Sequence, residues 1–467
     1  MSHPLKLDTN GNITLEINVK TFLKVLVVLV LAVGAGFLPL PGLTMASRIC
    51  MVLFVAAAGL WITEAIPPFA TAVMVIVLSI YLLGKPEGLL GLDRVGYQIF
   101  LNPIASPVLV LFFGGFVLAL AASKHGLDVR LARAFIKPFG THPRMVLLAI
   151  ILTTGLFSMF MSNTATTAMM IAIMSPLFKH FEGRDPFKKA MVLAIPFAAN
   201  IGGMGTIIGT PPNAVAASVL ISMGHPVSFL KWMVVGVPFA TVMLFSLWIF
   251  LVKVFKPCED HFEILFPEQL AITWDLVTVV LTFCVTILLW LTEPIHGIPA
   301  AVVALLPVMI FTMFGIINSK DLKSIEWDVL ILVAGGLTLG VAMNSTGLAN
   351  VLVNRVSIIS ISPLILVMVM VFFSILLSNF MSNTSASNIM IPIVTSLAVV
   401  NPQIGAFAVA FACSLSMSLP ISTPPNAIAF ATHAIETKEL VKYGTLMSLI
   451  GIVGILILLI LLHQLWL

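Results

Sequence analysis

Charge is scarce in this sequence. Only 9% of its 467 residues are Asp, Glu, Lys or Arg, where a soluble domain carries about 25%. A water-facing surface cannot be built from so few charges, which excludes a large soluble globule. Cysteine is equally sparse. Cys50, Cys258, Cys284 and Cys413 are scattered without metal-ligand spacing, so they read as small apolar packing residues. No Ser/His/Asp constellation or paired-carboxylate site falls within the apolar segments, which argues against an enzyme. Residues 1–20 are polar and mixed in charge, and no cleavable secretory signal is expected there.

What is present is apolar: 60% of the residues are hydrophobic. Lipid is the solvent that suits such a chain, and a spanning helix needs about 20 apolar residues. Apolar stretches fall at 22–40, 45–63, 68–84, 106–123, 144–180, 188–221, 230–255, 272–292, 298–317, 327–345, 363–400, 403–436 and 443–465. Two of them, 144–180 and 363–400, are too long for one helix and are expected to be re-entrant hairpins. Two more, 188–221 and 403–436, are interrupted by Gly and Pro and are expected to be broken helices.

Lys and Arg set the orientation. Lys124, Arg130, Arg133, Lys137 and Arg144 crowd one connection, and Lys179, Arg184, Lys188 and Lys189 the next. With a cytoplasmic N-terminus and both hairpins returning to their own side, most of the 23 basic residues lie in the cytoplasm. The C-terminus is then outside, in the cell's inner (plasma) membrane. The pattern predicts an all-α polytopic membrane protein of 11 spans and two hairpins. Arg130, Arg133 and Lys137 are expected on an interfacial amphipathic helix, and His125, His142 and His180 are expected to be solvated.

The chain is duplicated. Trp61-Ile62-Thr63-Glu64 recurs as Trp290-Leu291-Thr292-Glu293, and Gly114-Gly115 as Gly335-Gly336. Gly126-Leu127 recurs as Gly347-Leu348, and Met161-Ser162-Asn163-Thr164 as Met381-Ser382-Asn383-Thr384. Thr210-Pro211-Pro212-Asn213-Ala214 recurs as Thr423-Pro424-Pro425-Asn426-Ala427. The order is the same in both halves. A cytoplasmic segment 1–21, a first repeat 22–255, a linker 256–271 and a second repeat 272–467 follow from it. An odd number of spans separates the two hairpins, so the second repeat is expected to be inverted. The basic residues agree: the second hairpin's base has only Arg355 nearby. Inverted repeats with broken helices mark secondary transporters, with the site at the midplane.

Each Ser-Asn-Thr triplet lies midway through an over-long apolar segment. Against lipid a polar triplet is costly. At a hairpin tip it meets the free N–H groups and positive dipole end of the returning helix. The two Thr-Pro-Pro-Asn breaks unwind backbone near the same depth, which is tolerated only where it lines a cavity or is buried. Freed carbonyls suit sodium and freed N–H groups suit an anion. No Lys, Arg or His stands beside these four elements. An anion would be held by neutral donors, helix dipoles and co-bound cations, and a cationic substrate would call for an intramembrane Asp or Glu. Glu64 and Glu293 read as interface anchors or caps. A channel fits duplicated closed tips less well than alternating access does.

Two Ser-Asn-Thr triplets, each followed by a Thr-Pro-Pro-Asn break, resemble the divalent anion/sodium symporter family of dicarboxylate, citrate and sulfate carriers. The resemblance runs from about residue 22 to the end. It implies a homodimer with a scaffold domain and a mobile transport domain that works as an elevator. It implies sodium-coupled import of succinate, fumarate or malate without an organic cofactor; sodium-independent exchange and citrate or sulfate transport remain open. By this resemblance Ser162, Asn163, Thr164, Ser382, Asn383, Thr384, Thr423 and Pro424 contact the substrate. One sodium site would use Ser158, Ser162, Asn163, Gly203 and Gly205. The other would use Ser378, Asn383, Pro420 and Ser422. Met204 and Ser422 depart from the family's usual pattern beside these sites.

Overall fold

The computed structural model describes residues 5–7, 13–15, 19–84, 96–180, 186–257, 271–351, 362–397 and 401–465. Most of the expected 1–21 segment and 256–271 linker, together with Cys258, Arg184 and Arg355, lie outside them. The described chain is helical apart from one short antiparallel pair, Leu5–Leu7 with Ile13–Leu15. That pair is a small departure from the all-α expectation and precedes the first apolar helix.

Among the described residues eight helices are long and apolar enough to span: Val19–Gly36, Met45–Thr63, Gln98–Lys124, Phe229–Val254, Trp274–Leu291, Trp327–Ser345, Pro363–Phe380 and Thr437–Leu462. The count differs from eleven for local reasons. The expected spans at 188–221 and 403–436 are each split in two. Pro68–Leu83 and Ala300–Met313 are apolar but shorter. Pro363–Phe380 is the outgoing arm of the second hairpin. The first helix ends at Gly36 rather than residue 40, ahead of Pro39 and Pro41, which cannot donate to a continuing helix.

Both over-long segments turn back at their centres. The first runs out along Pro143–Ser158 and returns along Asn163–His180. The second runs out along Pro363–Phe380 and returns along Asn383–Ser396. Both interrupted segments break where Gly and Pro cluster. Pro186–Gly203 gives way to Pro211–Ser222, and Pro402–Ser414 to Pro424–Phe430. In each case a Pro-Pro pair opens the second half, where its missing N–H groups cost nothing.

The matched motifs make matched contacts. Trp61 and Trp290 are both fully buried. Trp61 Nε1 donates to the Pro68 carbonyl at 3.1 Å and Trp290 Nε1 to the Ala300 carbonyl at 3.0 Å. Each indole thus ties its helix to the first residue of the next apolar helix. The glycine pairs then exchange partners between halves. A Cβ on Gly114 would lie 2.1 Å from the Ala304 carbonyl oxygen, and one on Gly335 would lie 2.4 Å from the Ala72 Cβ. A first-half helix therefore presses on a second-half helix, and the reverse.

The hairpins and breaks exchange in the same way. The first hairpin's return arm packs on Pro424–Phe430 and the second's on Pro211–Ser222. The Trp327–Ser345 helix packs chiefly on Pro68–Leu83, and Val19–Gly36 on Met45–Thr63. Leu127–Ile136 is a short helix that buries Leu127, Ala132 and Ile136 on one side. Arg130 and Arg133 on this helix are half-buried, and Lys137 is exposed in the turn that follows it.

Candidate functional site

The two hairpin tips and the two breaks face one cavity of about 380 Å³. Both Ser-Asn-Thr triplets line it, as do Thr423, Pro424 and Ser422. All eight residues expected to touch the substrate are therefore brought together. Their placement follows from the tip chemistry. Ser162 and Ser382 each immediately precede a returning helix, and each hydroxyl accepts a backbone N–H, from Ala165 at 3.3 Å and from Ser385 at 3.1 Å. The N-termini of both return arms, with their unpaired N–H groups and partial positive charge, open onto the cavity.

Behind each tip lies an oxygen cluster. In the second half, Ser378 Oγ is 2.8 Å from Asn383 Oδ1 and 2.9 Å from the Cys413 carbonyl. Ser416 Oγ is 2.8 Å from the same Asn383 oxygen and 3.1 Å from the same carbonyl. Each hydroxyl has one proton to give. Two protons thus serve four acceptor contacts, an oxygen surplus that suits a hard cation.

The first half repeats the theme. The Asn163 amide atom on the Ser158 side lies 2.5 Å from Ser158 Oγ, 3.1 Å from the Ala199 carbonyl and 3.2 Å from the Gly209 carbonyl. With its NH₂ on that side the amide donates to these oxygens. With its oxygen there, four oxygens surround one point with a single hydroxyl proton among them, again a cation's donor set.

The expected sodium ligands are only partly gathered. Ser158, Asn163, Ser378 and Asn383 sit in the two clusters. Ser162 points elsewhere: its hydroxyl donates to Glu326 Oε1 at 2.9 Å. Gly203 lies against Asn163, where a Cβ would come within 2.6 Å of Oδ1. It makes room for the cluster, while the carbonyls nearest the amide are those of Ala199 and Gly209. Gly205 faces Met159 instead. Ser422 Oγ bonds the Leu419 carbonyl at 2.8 Å and lies one step behind Ser416, 3.3 Å from its carbonyl. Pro420 is half-buried and makes none of the contacts that build the cluster.

The breaks are held open by their own asparagines. Asn213 Nδ2 donates to the Gly203 and Thr206 carbonyls at 3.0 and 2.7 Å. Asn426 Nδ2 donates to the Met417 and Leu419 carbonyls at 3.1 and 3.0 Å. Each amide thus replaces the helical N–H partners that the break removed.

Several site residues carry no motif. Ser416 is one. Asn200 is another: it is fully buried, lines the cavity, and lies between Asn163 and Thr423. Glu326 and Asp328 line the cavity too. The expectation named only Lys, Arg and His as missing beside the tips and did not foresee these two acids. Among the described residues the lining holds two acids and no Lys, Arg or His. The signal available was the pair of acids at the start of the 327–345 apolar run; nothing in the run itself says which cavity they face.

A family model described as "Citrate transporter" matches residues 58–407 and 287–467. The sodium-dependent dicarboxylate transporter SdcS of Staphylococcus saprophyticus is 33% identical over 433 residues, covering 84% of this chain and 81% of that protein. SdcS of Staphylococcus aureus is 31% identical over the same length and coverage. Among solved structures, the YdaH transporter of Alcanivorax borkumensis aligns with a TM-score of 0.61 and 14% identity over 85% of this chain and 98% of that one. MtrF of Neisseria gonorrhoeae aligns with a TM-score of 0.55 and 13% identity over 84% and 94%. At such identities the two structures speak for the fold alone. The family model and the SdcS relatives each cover most of the chain, and so it belongs to the divalent anion/sodium symporter family, a multi-pass membrane transporter and not an enzyme.

Proposed function

We propose that this protein imports C4-dicarboxylates such as succinate, fumarate and malate, together with sodium. The observation that carries the reading is the pairing at each tip: an anion-seeking helix N-terminus on the cavity side, backed by an oxygen cluster that suits a cation. A dicarboxylate brings two negative charges. Two helix N-termini together offer about one positive equivalent. Sodium in the clusters behind them fills the deficit without a cationic side chain. The sodium-dependent dicarboxylate transport named for the SdcS relatives supports the same assignment.

In this reading the substrate's carboxylates are held by Ser162, Asn163 and Thr164 at one end and Ser382, Asn383 and Thr384 at the other. Thr423 and Pro424 close the site. The hairpins and breaks form the moving body of an elevator, and the helices that include Val19–Leu83 and Trp274–Met313 form its scaffold, in a homodimer. The Lys and Arg distribution sets the N-terminus in the cytoplasm and the C-terminus outside the inner membrane. In this orientation the Pro68 and Glu326 ends of their helices lie toward the cytoplasm. Citrate is the second reading, favoured by the family model's description.

Uptake of labelled succinate into proteoliposomes, with and without an inward sodium gradient, tests the proposal. Sodium-driven accumulation, competed by fumarate and malate more strongly than by citrate or sulfate, is the expected result. Accumulation indifferent to sodium would make the protein an exchanger, and preference for citrate would move the substrate class.

A further inference from the structure

Glu326 is placed oddly for an acid at a helix start. It immediately precedes Trp327–Ser345, where a carboxylate ordinarily caps the free N–H groups of its own helix, yet its side chain makes no such bond. Its Oε1 instead accepts the Ser162 hydroxyl of the first hairpin tip, at 2.9 Å. Ser162 is also the residue whose oxygen accepts the Ala165 N–H at the start of the return arm. The carboxylate of Glu326 is thus seated at the hydroxyl that an anion at this tip would use.

The second tip shows why only the first needs such a partner. There Ser382 Oγ lies 2.8 Å from Ser385 Oγ, within the tip itself. The matching position in the first tip is Ala165, which has no hydroxyl. The Ser162 proton is left for an external acceptor, either Glu326 or a bound carboxylate. Asp328 lines the same cavity, and no basic residue among the described ones offsets the two acids.

We propose that Glu326 is an internal competitor for the substrate, which takes the Ser162 hydroxyl and expels the dianion on the side that Glu326 faces. This rests on the dicarboxylate-transport reading. Glu326 precedes a helix packed chiefly on Pro68–Leu83, whereas Ser162 belongs to the hairpin. When the hairpin is displaced from Glu326, the hydroxyl is free for substrate. When it returns, the carboxylate reclaims the hydroxyl and adds like-charge repulsion at the cavity wall. Affinity therefore differs on the two sides, and release on the Glu326 side is fast.

The test is equilibrium binding of labelled succinate to the purified full-length protein at saturating sodium, with uptake turnover measured in parallel. Glu326→Gln keeps the shape and removes the charge; Glu326→Ala removes both and serves as the second variant. Each should bind succinate about tenfold tighter, the worth of one charge-assisted hydrogen bond, and turn over more slowly because release is delayed. Asp328→Asn, which touches neither tip hydroxyl, should shift affinity clearly less. Succinate binding in the parent with unchanged or weaker binding in both Glu326 variants overturns the competitor and leaves the transport reading intact. A parent that binds none of succinate, citrate and sulfate with sodium overturns the transport reading, and the competitor falls with it.

Discussion

Asn200, in the first half's broken helix, reaches across to Thr423 in the second half's break: Nδ2 lies 3.4 Å from Thr423 Oγ1. Its carbonyl oxygen lies 3.4 Å from Asn163 Nδ2. One fully buried amide therefore joins a tip of one repeat to the break of the other. At 3.4 Å these bonds are at the long end of the useful range.

Asn200→Ala should leave the fold intact and weaken succinate binding about threefold to tenfold, the worth of one ordinary hydrogen bond. Thr423→Ala should do the same. Because the two side chains touch, the double variant should lose less than the product of the single losses. Additive losses in a binding titration would show that the two halves are not coupled through this pair.

The cation clusters make a separable prediction. Ser158→Ala, Ser378→Ala and Ser416→Ala should each raise the sodium concentration needed for half-maximal uptake, by about fivefold or more, since each removes one oxygen from a small donor set. Ser416 discriminates best, because no sequence motif marks it. Sodium titrations of uptake that show Ser416→Ala equal to the parent would remove it from the second cluster.

Gly203→Ala should abolish transport with little effect on folding of the surrounding helices. The added Cβ would stand 2.6 Å from Asn163 Oδ1 and 2.9 Å from the Gly209 carbonyl, so the first cluster must open. Gly34→Ala is the control: its Cβ meets nothing within 4 Å, and transport should be normal. Uptake rates and detergent-solubilised melting curves of the two variants decide this directly.

Acid should loosen one outer tie. A hydrogen bond from Lys124, 2.6 Å away, with help from the Asn318 N–H, holds the Asp321 carboxyl below its ordinary range. A lowered folded pKa gives a contribution present above the unfolded value and lost as pH falls through the folded one. The tie between the end of Gln98–Lys124 and the Ser319–Lys323 helix should therefore be constant from about pH 6 to 8 and fail only below about pH 4. Asp321→Asn should lower Tm slightly at neutral pH and flatten the acid limb. An acid limb unchanged by the substitution would assign that loss to other groups.

The tips were legible because a polar triplet midway through an apolar run is costly anywhere except at a turn that lines a cavity. The breaks were legible because Pro-Pro cannot continue a helix. Both hairpins and both breaks lie where those residues place them. Trp61 and Trp290 were visible as a repeated motif; that each ties its helix to the start of the next was not, since a carbonyl partner leaves no mark in sequence. The same holds for Ala199 and Gly209, which serve the first cluster through backbone oxygens that any residue supplies. Ser416 is one serine among many near the break. Glu326 meets Ser162 only because a helix from the second half crosses the first tip, and that long-range packing has no local pattern. The eleven expected spans include the two broken helices and two short ones, Pro68–Leu83 and Ala300–Met313, so a count of long continuous helices comes out lower.

The central claim is that anion and cation are held by the same two tips. Reciprocal titration tests it most directly: succinate affinity measured against sodium concentration, and sodium affinity against succinate, in the parent, Asn163→Ala and Asn383→Ala. The account predicts that each ligand strengthens the other by the same factor. It also predicts that either Asn variant weakens both, with each lost charge-assisted hydrogen bond worth about 1.5–3 kcal/mol. Succinate affinity that does not change with sodium, or an Asn variant that binds both ligands as the parent does, would contradict it.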